Sequence, residues 1–385
     1  MLNDLKIRRD SVQKLLKKAD ADACLITTNV NIYYLTGKVF TGFAYLPAEG
    51  DLLCFVQQPA IVANENCFPI RKPEDIPDLL KNIGIALPKT LFFEAGQISH
   101  LEFQRLLTAF DPEETADVTS ILRQARMIKS PWEIEQFRIS AKHHAEAYAH
   151  IASLFRPGMT DIEFQIEIER VMRLNGSLGV FRAFGGNMDI FMGSVLTGKN
   201  AETPSPFDFA LGGGGLHPSF PIGASGEVIK EGTTVMVDMA GNFTAYMTDM
   251  TRVFAYGKLP DIAYRAHNLS IAMHDNLLSM AKPGTPCSEI YEATVQMAEK
   301  EGLSKYFMGT EKQAKFVGHG VGIEINEPPV LTSRSKECLE ENMVFAFEPK
   351  FVIPAVGAVG NENTYLVAKN GLEKITLFEE GIIML

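Results

Sequence analysis

Residues 235–254 read Val-Met-Val-Asp-Met-Ala-Gly-Asn-Phe-Thr-Ala-Tyr-Met-Thr-Asp-Met-Thr-Arg-Val-Phe. Two apolar, β-prone runs flank Gly241-Asn242, a turn signal, so the stretch predicts a β-hairpin. Each arm carries one carboxylate, Asp238 and Asp249. A carboxylate inside Val-Met-Val-Asp-Met-Ala persists only when it is paired, hydrogen-bonded or bound to a cation. Two on one hairpin suggest a shared cation. One solvent-facing Asp and one turn Asp would produce the same spacing, so the hairpin alone does not decide.

The surrounding chain is duplicated. Phe155-Arg156-Pro157-Gly158-Met159-Thr160-Asp161-Ile162-Glu163 opens a helix with a Thr160/Glu163 capping box, and that helix ends at Asn175-Gly176. Lys282-Pro283-Gly284-Thr285-Pro286 opens another, ending at Glu301-Gly302. From Pro157 to Gly176 and from Pro283 to Gly302 the step is 19 residues in both cases. Asp238 lies nine residues after Ile229, and Glu348 nine after Leu339. Asp249-Met250-Thr251 is echoed by Glu362-Asn363-Thr364. A repeat that faces itself brings four carboxylates to one centre. Their mutual repulsion calls for one or two divalent cations. His319, flanked by Gly318 and Gly320, is the remaining candidate ligand. An oxygen-rich set with one imidazole suits Mn, Co, Fe or Zn. Two ions with bridging carboxylates would activate a water near neutral pH and clamp a tetrahedral intermediate.

Composition narrows the class. At 385 residues, two domains are expected. Hydrophobic content of 46% and charged content of 22% are those of a globular protein with a sizeable core. A net charge of −11 argues against nucleic acid or an anionic membrane as partner. Five cysteines, odd in number and widely spaced, predict no disulfide framework and no zinc-thiolate site. The start, Met-Leu-Asn-Asp-Leu-Lys, lacks the apolar core of a signal peptide, and no run reaches the ~20 apolar residues of a membrane span. The expectation is a cytoplasmic protein. Over the first part, an amphipathic helix (residues 4–19) precedes strands at Ala23–Thr27, Leu52–Val56 and Thr90–Phe93 and a helix at Leu101–Phe110, which predicts a small α/β domain. Residues 111–131 read as a connector, and a long helix runs from Ser130 to about Phe155.

At this point the chain resembles metallopeptidase family M24, whose members include Xaa-Pro aminopeptidase, prolidase, methionine aminopeptidase and the non-peptidase creatinase. Asn31-x-x-Tyr34-Leu35-Thr36-Gly37 and Arg126-Met127-Ile128-Lys129-Ser130 look like its creatinase-type N-terminal domain and exit. The resemblance implies an α/β (α+β) fold. Residues 1–125 would form the creatinase-like domain. Residues 126–385 would form a pita-bread catalytic domain, with a curved antiparallel sheet and an internal pseudo-twofold repeat. All five metal-ligand positions are filled, by Asp238, Asp249, His319, Glu348 and Glu362. By resemblance, Asp249 and Glu362 bridge two divalent ions, with Mn or Co favoured over Zn or Fe. Asp238 completes one shell; His319 and Glu348 complete the other, with Glu348 as proton relay. The implied partner is a small peptide or small-molecule substrate, and the implied assembly a homodimer in which one subunit's N-terminal domain helps close the other's site.

The sequence also departs from the family. Its peptidases carry a His in a Pro-His-Gly context upstream of the first metal strand; here the stretch is Pro221-Ile222-Gly223. They carry a second His seven residues after the metal His; here it is Asn326. A basic residue near the last ligand looks absent, since Gly360 lies two before Glu362. Asn326 is the candidate catalytic and substrate-binding donor in place of the second His. His217, after the flexible-looking run Gly212–Gly215, is a candidate substitute donor or a plain turn residue. His143, His144, His150, His267 and His274 read as structural or exposed, and Arg252 as a partner for a nearby carboxylate. Phe181, Phe184, Phe191 and Met192 are pocket or core residues, and Tyr246 either. Three readings follow, in order: an Xaa-Pro peptide hydrolase; a non-peptidase enzyme acting by hydrolysis or elimination on a small polar substrate; and a metal-binding homologue without turnover.

Overall fold

The computed structural model describes residues 2–62, 64–185, 190–207 and 209–385. The chain divides into two compact units, Met1–Arg126 with Ser130–Trp132, and Met127–Lys129 with Glu133–Leu385.

The first unit opens with helix α1 (Leu2–Lys18) and is built on six strands: β1 (Ala23–Ile26), β2 (Thr41–Pro47), β3 (Leu53–Gln58), β4 (Cys67–Pro69), β5 (Thr90–Phe93) and β6 (Glu114–Asp117). They form one mixed sheet in the order β4-β3-β2-β1-β5-β6. Leu25, Phe43, Tyr45, Phe55, Phe93 and Phe110 pack in its core. Helix α2 (Asn29–Thr36) stops because Gly37 takes a left-handed conformation (φ 76°) and returns its N–H to the Tyr33 carbonyl. Short α3 (Ile76–Asn82) and longer α4 (His100–Phe110), the latter capped by Ser99, complete the layer. The connector expected at 111–131 is instead ordered: β6 adds to the sheet edge, and α5 (Thr119–Met127) buries Leu122 and Ala125. Glu-Thr-Ala-Asp in β6 is exposed throughout, as suits an edge strand, and polar sequence of that kind carries no strand signal.

In the second unit, α6 (Pro131–Tyr148) ends earlier than the sequence suggests, and α7 (Ile151–Leu154) restarts the helix. The reset lets both Tyr148 and Ile151 bury against the adjoining sheet, where the Tyr148 hydroxyl donates to the Met250 carbonyl at 2.7 Å. The repeat is plain in the helices: α8 (Asp161–Leu174) and α10 (Cys287–Lys300) each span 14 residues, with α9 (Asp261–Met280) before the second. The Thr160/Glu163 capping box forms as expected. Strands β7 (Gly193–Thr197), β8 (Thr233–Gly241) and β9 (Thr248–Tyr256) make one sheet, with the short β17 (Ile383–Met384) parallel to β9 at its edge. Strands β10 (Gly318–Gly320), β11 (Glu327–Val330), β12 (Val344–Phe347), β15 (Asn363–Ala368) and β16 (Gly371–Lys374) make the other, antiparallel throughout. Strands β13 (Phe351–Ile353) and β14 (Gly357–Val359) pair as a small ribbon.

The hairpin forms, but Gly241 pairs with Thr248 rather than sitting in a two-residue turn. A Cβ on Gly241 would come within 2.4 Å of the His144 ring, so close packing is what requires glycine there.

Candidate metal centre

Strand register assembles the site. In the β8–β9 pair Asp238 faces Thr251 and Ala240 faces Asp249, which puts both aspartates on one face. His319 faces Ala346 across β10–β12, and Glu348, two residues on, keeps that side. Phe347 pairs with Asn363, so Glu348 and Glu362 are opposed at the adjoining ends of β12 and β15. The two sheets are tied where they meet. Glu362 N–H donates to the Thr251 carbonyl (3.2 Å), and Asp249 N–H to Thr364 Oγ1 (2.9 Å). The Arg252 guanidinium donates to the carbonyls of Thr251 and Glu362, both at 2.8 Å, and to Asn363 Oδ1. Arg252 thus donates to carbonyl and amide oxygens, not to the carboxylate expected for it.

The four carboxylates and His319 line one cavity of about 50 Å³, together with Phe181, Phe209, Phe316, Ile325 and Asn326. Among the described residues, ligand atoms of Asp249, His319 and Glu362 lie within 4.8 Å of one another. His319 Nε2 is 3.5 Å from Glu348 Oε1 and 3.8 Å from Asp249 Oδ2. Its Nδ1 lies 3.2 Å from the Gly320 carbonyl, which only accepts, so Nδ1 carries a proton and Nε2 is the atom turned to the carboxylates. Glu362 Oε2 accepts from Thr251 Oγ1 (2.7 Å), whereas Glu362 Oε1 is buried without a partner. A partnerless buried carboxylate oxygen beside an imidazole lone pair and a second carboxylate fits a divalent cation. Burial pushes Asp249 well above the usual carboxylate range, reinforced by Asp238 and Glu348; Glu362 is raised likewise by burial and by Asp249.

The opposite side of the cluster holds a residue that sequence reading missed. Lys350 is fully buried, and its Nζ donates to Glu348 Oε2 (2.7 Å), Asp238 Oδ2 (2.9 Å) and Glu362 Oε2 (2.9 Å). Burial alone would push its ammonium down, but the three carboxylates outweigh that and hold it well above the usual lysine range. A basic group is therefore present beside Glu362, reached from the Glu348 side instead of from position 360. The available signal was the two-residue step from Glu348, which places both side chains on one side of an extended chain.

The other candidates fall as follows. Asn326 reaches the cavity wall, but its amide clasps the Phe184 backbone: Phe184 N–H donates to Oδ1 (2.6 Å) and Nδ2 donates to the Phe184 carbonyl (3.0 Å). Ile222 is buried. His217 is exposed, held by Ser219 in its own turn, and is not part of the cavity wall. The glycines before it are packed rather than loose. A Cβ on Gly215 (φ 68°) would lie 2.2 Å from the Phe220 carbonyl oxygen. His144, His267 and His274 are buried and bonded within the fold, His143 stacks on Phe243, and His150 is exposed. Phe191 is exposed, Met192 is core, and Tyr246 is buried with its hydroxyl donating to Glu133.

Residues 135–369 match the model of metallopeptidase family M24, and residues 8–128 match that of the creatinase/prolidase N-terminal domain. The chain is 24% identical to the Xaa-Pro dipeptidase of Pyrococcus furiosus, over 98% of this chain and 100% of that one. It is 27% identical to the uncharacterized peptidase YqhT of Bacillus subtilis, with the same coverage. Among solved structures, the Xaa-Pro dipeptidase from Bacillus anthracis superposes with a TM-score of 0.82 at 22% identity, over 99% of this chain and 100% of that one. The prolidase from Pyrococcus horikoshii OT3 gives 0.77 at 22% identity, over 97% and 98%. These likenesses carry the fold, a small α/β domain followed by a pita-bread-like domain. With the family match spanning most of the second unit, the chain belongs to metallopeptidase family M24 and is a metallohydrolase.

Proposed function

We propose that this protein hydrolyses small peptides at the bond preceding proline, using a divalent cation held by Asp249, His319 and Glu362. The observation that carries the reading is the convergence of ligand atoms of those residues to within 4.8 Å of one another, with Glu362 Oε1 buried and partnerless, in a family of metallopeptidases with full-length Xaa-Pro dipeptidase relatives. When bound, the cation supplies a Lewis acid and lowers the pKa of a coordinated water toward neutrality. The chain's own groups supply the rest. His319 presents its Nε2 lone pair in the tautomer set by Gly320. Glu348 Oε1 faces the imidazole while Oε2 is held by Lys350, which leaves Oε1 to accept a proton. Phe181, Phe209, Phe316 and Ile325 give the cavity an apolar wall suited to a prolyl ring. Asn326 positions residue 184 beside that wall.

Manganese or cobalt is the proposed ion, and a cytoplasmic homodimer the proposed state. The test is turnover of an Xaa-Pro peptide panel, followed by mass spectrometry after loading with Mn²⁺ or Co²⁺, with Asp249→Ala beside it. Cleavage that vanishes in the variant supports the reading. A metal-loaded protein that leaves every peptide intact would move it to a non-peptide amide or amidine substrate, the direction in which Ile222 and the engaged Asn326 point.

A further inference from the structure

We propose that Lys350 permanently occupies the place of a second cation, so that this centre holds one divalent ion and one built-in ammonium. The inference rests on the metal-site reading above and narrows it. By the resemblance, two ions would draw on Asp238 for one shell, on Glu348 for the other and on Glu362 for both. Here one oxygen of each already accepts from the same Nζ, at 2.7–2.9 Å, in a side chain with no exposure. An ammonium and a metal ion cannot share one position, and this side chain is fully buried among the carboxylates that hold it. The opposite side shows the reverse condition: Glu362 Oε1 is buried and partnerless, and His319 Nε2 lies 3.5 Å from Glu348 Oε1 and 3.8 Å from Asp249 Oδ2.

The two sides differ in what they demand. On the Asp238 side an ammonium with three donors meets three carboxylate oxygens, so its donor capacity is filled. On the Asp249 side the acceptors outnumber the donors, and a cation would complete them. Four carboxylates with one ammonium are still net anionic, so the cluster retains charge for a divalent ion to neutralise. Asp238 accordingly becomes a positioning residue for Lys350 instead of a metal ligand.

The decisive experiment is metal counting on the full-length protein, stripped with a chelator and reloaded with Mn²⁺. Bound manganese is read by mass spectrometry and calorimetry, and its coupling by electron paramagnetic resonance. The wild type is expected to bind one Mn²⁺ per chain with the six-line signal of an isolated ion. Lys350→Gly is expected to bind two, with a spin-coupled signal. Asp238→Asn is expected to keep the count at one and supplies a second arm if Lys350→Gly does not fold. Two tightly bound ions in the wild type overturn the inference while leaving the metal-site reading intact. So does a drop below one ion in Asp238→Asn. A wild type that binds none removes both.

Discussion

Glu94 in the first unit and Glu362 in the second are each 1% exposed, yet their surroundings are opposite. Glu94 is saturated by neutral donors. Its Oε2 accepts from the N–H groups of Thr27 (2.7 Å) and Thr28 (2.8 Å), and its Oε1 from Thr28 Oγ1 and Asn31 Nδ2, both at 2.6 Å. Asn31 in turn accepts from Arg126, so the network pins the start of α2 to the sheet and to α5. Glu362 keeps one oxygen bonded to Thr251 and Lys350 and the other bonded to nothing. A buried carboxylate completed by neutral donors is structural. One left half-complete inside a cluster of other carboxylates is a candidate ion site, because a bound ligand would supply the missing partner.

The sharpest way to break this contrast is Asp249→Ala. It should reduce hydrolysis to background and strip the bound ion while the far-ultraviolet circular dichroism stays unchanged; retained metal and activity would sink the site. Next, Lys350→Ala should destabilise the chelated protein by about 3–5 kcal/mol, as expected when one partner of a buried ion cluster is removed. Added Mn²⁺ should restore much of that loss in a urea titration. Glu94→Gln should cost about 1–3 kcal/mol, since an amide NH₂ would face N–H donors, with no change in metal content. A changed metal count there would erase the distinction between the two glutamates. Thr251→Val should cost about 1 kcal/mol and weaken metal affinity on the order of 10-fold, as loss of an outer hydrogen bond to a ligand commonly does.

The smallest effect concerns pH. Without metal, burial raises Asp249 and Glu362, so the folded protein holds these protons more tightly than the unfolded chain. That stability is fully present below the ordinary carboxylate pKa and is lost as pH rises through the raised values. Metal binding requires the deprotonated forms. The gain in melting temperature on adding Mn²⁺ should therefore shrink as pH falls from 7.5 to 5. His144 and His274, both held down to about 3 by burial, destabilise the fold on acidification equally with and without metal and cancel in that difference. A gain that grows on acidification would contradict the assignment.

Much of this was legible without coordinates. The capping box at Thr160, the paired 19-residue steps and the carboxylates in both halves are local patterns, and local patterns survive folding because neighbouring residues set them. The connector at 111–131 was misjudged because β6 is an exposed polar edge strand whose identity comes from pairing with β5. The Gly212–Gly215 run was misjudged as loose because composition does not reveal that Phe220 lies against it.

By itself, then, the sequence determined the two-part architecture, the duplicated strand pairs and which residues of a strand pair share a face, since periodicity two along extended strands dictates that. Only the tertiary structure decided what fills the space between them. Lys350 belongs to no motif, and three of its bonds close contacts that span up to 112 residues. Electrostatic complementarity of that kind depends on distances between strands from both halves of the repeat, and no spacing along the chain encodes those distances.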